Sequence, residues 1–478
     1  MSDSNGKPKP EPEIKEEAPV ITSHQLELDG ATLSYSATTG KMPLKDAREK
    51  IVAQMFYTAY TLEGEADPAG RPLIFVFNGG PGSASIWLHM GALGPRRVEM
   101  GDEGFMPPPP YRLIDNAYTW LDLGDLVFID PVGTGYSRAS DPDDNQKYWG
   151  LEADLEAVGE FIRLYLSRNR RWTSPLYLAG ESYGTTRAAG LAGHLIDRGI
   201  AFNGVVLIST IMNFQTARFT KANDLPYTLF LPSYCATAHY HGKLAEELQA
   251  RQLRELLSEV ADWSERDYTV ALAKGDRLTE DERGAVAAQL SRYTGLSERF
   301  VLGADLRINI LSFCKELLRD DKRAVGRLDS RFVGIMASAE GQTFDFDPAS
   351  HAITPPYSAT FNQYVREALG YRTDLNYEIM NSEVNRNWKY EGGQFPDTSE
   401  GLRAAFAKNP FMRVLVAQGY YDLATPFHAA YYSLSHMGLD ASLRDNVIIE
   451  EYEAGHMMYL HEASLAKLKR DVAHFIRS

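Results

Sequence analysis

The chain belongs to the α/β class: a mostly parallel central sheet, helices on both of its faces, and a mainly helical cap inserted between two of its strands. Three observations predict this. Short, largely apolar runs recur at 73–77 (LIFVF), 125–130 (DLVFID), 176–179 (LYLA), 205–208 (VVLI), 414–417 (VLVA) and 447–449 (VII). Their length and composition suit strands buried on both faces. Helical patterns at 151–167, 185–198 and 462–476 separate or follow them, and strands alternating with helices build a parallel sheet. Between about 216 and 400 the alternation fails, and charged helical sequence such as KLAEELQARQLRELLSEVADW takes over.

The elements follow in order. Residues 1–21, rich in Pro, Glu and Lys, lack the apolar content to bury surface and are expected to form a disordered tail. From His24, HQLELDGATLSYSATTGKM and IVAQMFYTAYTLEG alternate in part and are punctuated by turn residues, as antiparallel strands are. Residues 22–215 therefore form the first part of the core, 216–395 the cap and 396–478 the second part of the core. No internal repeat interrupts this plan.

Composition narrows the function. A chain of 478 residues, 44% hydrophobic and 24% charged, can bury a large core. No run approaches the roughly 18 consecutive apolar residues of a membrane span. A net charge of −15 disfavours nucleic acid and anionic membrane surfaces as partners. Two cysteines, Cys235 and Cys314, are too few for a disulfide framework, and two buried thiols are favoured over a single bridge. The N-terminus lacks an apolar signal region, so a cytoplasmic location is expected.

Gly180-Glu181-Ser182-Tyr183-Gly184 carries the chemistry. A G-x-S-x-G pattern is weak alone but gains weight here, between a strand and a helix. The serine then sits on a tight turn with its hydroxyl above the sheet, as in the α/β-hydrolase fold. A serine hydroxyl needs a histidine base oriented by a carboxylate. In this fold these follow in the order Ser, Asp or Glu, His, on loops after later strands. Asp422 in GYYDLATPF and His456 in YEAGHMMY occupy those places. His428 and His461 are the competing histidines. The pair His239 and His241 lacks accompanying carboxylates or thiols at ligand spacing, and no metal is expected. After the first apolar run, Asn78-Gly79-Gly80-Pro81-Gly82 can turn backbone N–H groups toward the nucleophile, where an oxyanion develops. It lacks the lysine and spacing of a phosphate loop. Gly133 and Gly135, in a third such loop, do not form a dinucleotide motif.

Taken together, these motifs resemble the serine carboxypeptidases of peptidase family S10. FNGGPGSAS is similar to the family's N-G-G-P-G-C-S-S loop, and NAYTWLDLGDLVFIDPVGTGYS to its N-P-x-S-W…F-x-D-x-P-x-G-T-G-F-S segment. GESYG, GYYDLATP and AGHM match its nucleophile, aspartate and histidine motifs in the same order. The resemblance implies an α/β-hydrolase core, no cofactor, and removal of C-terminal residues from peptides through an acyl-enzyme. It makes Ser182 the nucleophile, His456 the base and Asp422 its orienter. It assigns the oxyanion hole to the backbone N–H groups of Gly80 and Tyr183, and the substrate's C-terminal carboxylate to Asn78 and Glu181. Glu181 fits that role only when protonated, since an ionised carboxylate repels another.

Three departures stand out. Ala92 occupies the position of the carboxyl that pairs with Glu181 in the family, Ser83 that of a cysteine, and Val76 that of a tryptophan. Arg96 or Arg97 offers a substitute anchor, against the plainer expectation of two solvent-exposed arginines. The expected partners are a peptide with a free C-terminus and, among proteins, at most a second copy of the chain. The same triad would serve an esterase or an acyltransferase, and a binding module on a silenced hydrolase scaffold is the remaining alternative.

Overall fold

The computed structural model describes residues 15–64, 67–390 and 395–478. Three long strands lead: β1 (Val20–Leu28), β2 (Ala31–Lys45) and β3 (Ile51–Leu62). Then come β4 (Leu73–Phe77), the small ribbon β5 (Arg96–Val98) and β6 (Leu113–Asp115), β7 (Asp125–Ile129) and the short β8 (Arg138–Ala139). The series closes with β9 (Leu176–Glu181), β10 (Gly204–Ile208), the cap ribbon β11 (Arg323–Val325) and β12 (Val333–Ile335), β13 (Arg413–Gly419) and β14 (Val447–Tyr452).

The central sheet runs in the order β1-β2-β3-β7-β4-β9-β10-β13-β14, with β8 beside β3. From β7 through β14 every pairing is parallel, and the leading strands add an antiparallel extension. This is an α/β-hydrolase sheet. All residues of β4, β7, β9 and β10 are buried, as strands covered on both faces require. Alternate side chains feed opposite layers. Ile74, Val76, Leu126, Phe128 and Val206 pack with the C-terminal helix Glu462–Arg477 through Leu465, Leu468 and Val472. Phe75, Phe77, Val127, Leu178 and Leu207 pack on the other face against Phe161, Ile162 and Leu191 of the helices Leu151–Arg168 and Tyr183–Ile196.

Three expectations change. β1 opens at Val20, and Val20 and Ile21 pair with Thr39 and Thr38, so the tail is shorter than 21 residues. Its first 14 lie outside the described residues. The run 447–449 belongs to β14, which ends the sheet and is only half-buried before Tyr452. The insertion also divides. Helices Leu225–Tyr240, Leu253–Trp263 and Glu280–Thr294 enclose a separate cluster around Phe230, Tyr234, Leu257 and Leu290. Helix Pro348–Glu367 instead joins the sheet's own core through Ile353, Tyr357, Phe361 and Tyr364, one apolar stripe at helical spacing.

Cys235 and Cys314 are free and buried in the cap cluster. Burial pushes the Cys235 thiol up to about 12 and raises Cys314 as well, which leaves both poor nucleophiles. No helix among the described residues is long and apolar enough to cross a membrane.

Candidate active site

β9 ends at Glu181, and the chain turns into the helix beginning at Tyr183 within one residue. That residue, Ser182, has φ +60° and ψ −129°, a conformation that costs a non-glycine residue about 1–3 kcal/mol. Its N–H donates to the Ile208 carbonyl at 3.0 Å and its carbonyl accepts the Thr185 N–H at 2.8 Å, holding the turn from both sides. The flanking glycines follow from this compression. A Cβ on Gly180 would stand 2.2 Å from the Gly184 carbonyl oxygen, and one on Gly79 would stand 2.3 Å from the Tyr183 nitrogen. The glycine loop after β4 is therefore pressed against the serine turn.

Asp422 and His456 come from the loops after β13 and β14 and meet beneath the same opening. His456 Nδ1 lies 2.7 Å from Asp422 Oδ2. An ionised carboxylate only accepts, so Nδ1 carries the proton and Nε2 is free to act as a base. Asp422 is fully buried. Its Oδ1 accepts the N–H groups of Ala424 and Thr425 at 2.7 and 2.9 Å, and its Oδ2 accepts the Thr425 hydroxyl at 2.7 Å. Burial alone would lower the His456 pKa, but the charge and hydrogen bond of Asp422, with the charge of Glu181, outweigh it and raise it above the ordinary value.

Ser182, His456, Gly80, Tyr183, Asn78 and Glu181 all line one cavity of about 820 Å³. Among the described residues no hydrogen bond engages the Ser182 hydroxyl. In hydrolase triads this bond is often long until substrate compresses it. The backbone N–H groups of Gly80 and Tyr183 likewise donate to no described residue. Tyr183 is the first residue of its helix, where such donors are normally free and the helix dipole favours negative charge. The cavity thus brings together a hydroxyl, an imidazole backed by a carboxylate, and two spare backbone donors.

Beside them, Asn78 Nδ2 donates to Glu181 Oε1 at 3.0 Å, while Asn78 Oδ1 accepts the Leu88 N–H at 3.0 Å. The second bond fixes which way the amide faces. Glu181 is buried, and burial pushes its carboxyl up to about 7; the Asp422 charge adds to the rise, and His456, Tyr459 and Asn78 oppose it. Glu181 Oε2 meets hydrogen-bonding geometry with no described residue, although the Tyr459 phenol bears on the carboxyl's charge. Ala92 is wholly buried among apolar neighbours. Neither Arg96 nor Arg97 lines the cavity: they pair with Asp115 at 2.8 Å and Glu462 at 3.6 Å. His428 pairs with Glu265 at 3.0 Å and His461 with Ser464 at 2.8 Å, both away from the cavity lining. His241 bonds the Ser330 carbonyl.

Two supports escaped the sequence. Arg187, only 1% exposed, joins Asp154 at 2.8 Å to the Asn78 carbonyl at 2.7 Å and so ties the glycine loop to the serine's helix. From the insertion, the Leu328 carbonyl accepts the His456 N–H at 2.6 Å, and Asp329 accepts the Gly455 N–H at 3.2 Å while paired with Arg331 at 2.7 Å. No local motif marks either pair.

The sheet, the strained serine turn and the buried Asp–His couple define a serine hydrolase of the α/β-hydrolase fold. Within that class, the serine carboxypeptidase family model matches residues 32–461, and the chain belongs to that family. It is similar to serine carboxypeptidase-like 45 of Arabidopsis thaliana, at 25% identity over 277 residues covering 52% of this chain and 57% of that protein. It is also similar to the pheromone-processing carboxypeptidase KEX1 of Saccharomyces cerevisiae, at 30% identity over 158 residues covering 30% of this chain and 20% of that one. The chain thus matches about half of the first of these relatives and a fifth of the second. The crystal structure of KEX1(delta)p, a prohormone-processing carboxypeptidase from S. cerevisiae, superposes with a TM-score of 0.60 at 16% identity, over 92% of this chain and 91% of that one. The two share the fold.

Proposed function

We propose that the protein is a serine-type carboxypeptidase that releases C-terminal residues from peptides through an acyl-enzyme. His456 Nε2 takes the proton of the Ser182 hydroxyl as Oγ attacks the last peptide carbonyl. Asp422 stabilises the imidazolium, and the N–H groups of Gly80 and Tyr183 receive the oxyanion. His456 then protonates the leaving amine, and water repeats the sequence to free the acyl group.

The observation that carries this reading is the buried Asn78–Glu181 pair beside the triad. With its carboxyl pushed up to about 7, Glu181 is largely protonated below that pH and can donate to a substrate carboxylate while Asn78 orients it. Burial supplies the shift, so Ala92 does not abolish it. The pH sign follows. Recognition of a free C-terminus is present below about pH 7 and fades above, as Glu181 ionises and repels the substrate. The base form of His456 sets the opposite, acid limb.

The test compares kcat/KM for free-acid and C-terminally amidated peptides across pH. The free acid should be favoured at pH 5.5–6.5, and the preference should shrink above pH 7. Equal rates for the two at every pH would remove the carboxylate role of Asn78 and Glu181.

A further inference from the structure

The cavity has a second polar feature that the reaction above does not use. Arg218 follows the short helix Phe214–Ala217 and lies on the cavity wall with Phe214 and Tyr390. Its guanidinium carbon stands 5.2 Å from each of those two ring centroids. One of its terminal nitrogens donates to the Tyr390 hydroxyl at 3.0 Å. Among the described residues it forms no ion pair, and its remaining N–H groups have no acceptor. Aromatic contacts hold a guanidinium by its face and leave its edge available, the edge that binds carboxylates in a fork. The other arginine of the wall, Arg327, has a carboxylate partner in Asp347 at 4.0 Å.

Position decides which part of a substrate Arg218 would meet. The Phe214 ring lies tilted 6.2 Å from that of Tyr183, and both belong to one cluster with Trp149 and Trp388. Glu181 and Asn78, the site proposed for the terminal carboxylate, bear instead on Tyr459 and Leu88, which belong with Trp87 to the separate cluster of the sheet core. A peptide crossing the serine with its C-terminus at Glu181 therefore lays its acyl side along Tyr183, Phe214 and Arg218.

We infer that Arg218 is a specificity residue that selects an acidic side chain on the acyl side of the cleaved bond. This rests on the carboxypeptidase reading and adds the substrate class. The net charge of −15 opposes acidic ligands at long range, so the preference is a contact effect and should survive moderate salt.

The experiment measures kcat/KM on N-blocked Glu-Leu, Gln-Leu and Lys-Leu, with N-blocked Leu-Glu and Leu-Gln as leaving-side controls. Glu-Leu should exceed its Gln isostere by about tenfold or more, the scale of a hydrogen bond to a charged group, while Leu-Glu and Leu-Gln should differ little. Arg218→Gln should collapse the Glu/Gln ratio toward one, and Arg218→Glu should invert the order so that Lys-Leu leads. Arg218 is exposed, so these substitutions leave the core intact. A wild-type ratio near one, or a ratio unchanged in Arg218→Gln, overturns the inference. If no free-acid peptide is cleaved but esters are, the carboxypeptidase reading fails by itself. The same Glu/Gln ratio on N-blocked amino-acid esters then judges Arg218 separately.

Discussion

The two sides of the active-site cavity are made by different means. On the sheet side, backbone fixes the serine turn and the oxyanion donors: a serine at φ +60°, glycines that admit no Cβ, and donors that are main-chain N–H groups. On the cap side, side chains from the insertion do the work: Arg218 over its two rings, and Asp329 and Arg331 behind the histidine loop. Backbone geometry tolerates almost no substitution, whereas side chains can be exchanged while the cap keeps its packing. Acyl-transfer geometry therefore rests where substitution is barely tolerated, and selection of the acyl side chain rests on side chains that can be exchanged.

The largest effect should come from the sheet side. Ser182→Ala should lower kcat by roughly 10⁴–10⁶ with the fold intact, checked by single-turnover assays alongside circular dichroism. Retention of more than a hundredth of the activity would remove the triad. Next comes Gly79→Ala. Its Cβ would press on the Tyr183 nitrogen, one of the two proposed oxyanion donors, so kcat should fall about 10²–10³-fold, the cost of losing one such donor. Labelling of Ser182 by a fluorophosphonate should slow in proportion. A Gly79→Ala enzyme of normal rate would show that the glycine loop only reverses the chain.

The same contrast explains what could be read in the sequence. The buried runs that became β4, β7, β9, β10 and β13 were legible because strands covered on both faces must be apolar throughout. Ser182, Asp422 and His456 were legible because each sits in a short glycine-containing motif after a strand, whereas Asn78 and Glu181 entered only through the resemblance to the family. The cap was legible only as a loss of alternation. Helix Pro348–Glu367 carries Pro355 and Pro356 within it, residues that ordinarily interrupt a helix, so its place in the main core was hidden. The start of β1 is not marked in the sequence, because Val20 and Ile21 adjoin a polar, Pro-rich stretch. Arg187, Asp329 and Arg331 were invisible for a further reason. Pairing partners such as Arg187 and Asp154, or Asp329 and Gly455, are brought together only by the complete fold, and no spacing encodes them.

The smallest of the expected effects bears most directly on whether the two sides are independent. Asp329 and Arg331 are both nearly excluded from solvent, and Asp329 also holds the Gly455 N–H, one residue before the histidine. Asp329→Asn preserves shape and an acceptor for Gly455 but removes the nearer of the two carboxylates that pair with Arg331, leaving Glu103 at 3.5 Å, so stability should fall by less than the about 3–5 kcal/mol of a buried pair broken outright. If the cap merely covers the cavity, thermal stability should drop while the fluorophosphonate labelling rate of the folded protein stays the same. If it also sets the imidazole, as the bond from the His456 N–H to the Leu328 carbonyl implies, labelling should slow about tenfold below the melting transition. The double variant Asp329→Asn/Arg331→Met should then recover stability without recovering rate, because the buried charge is gone but a neutral amide oxygen holds the Gly455 N–H more weakly than the carboxylate does.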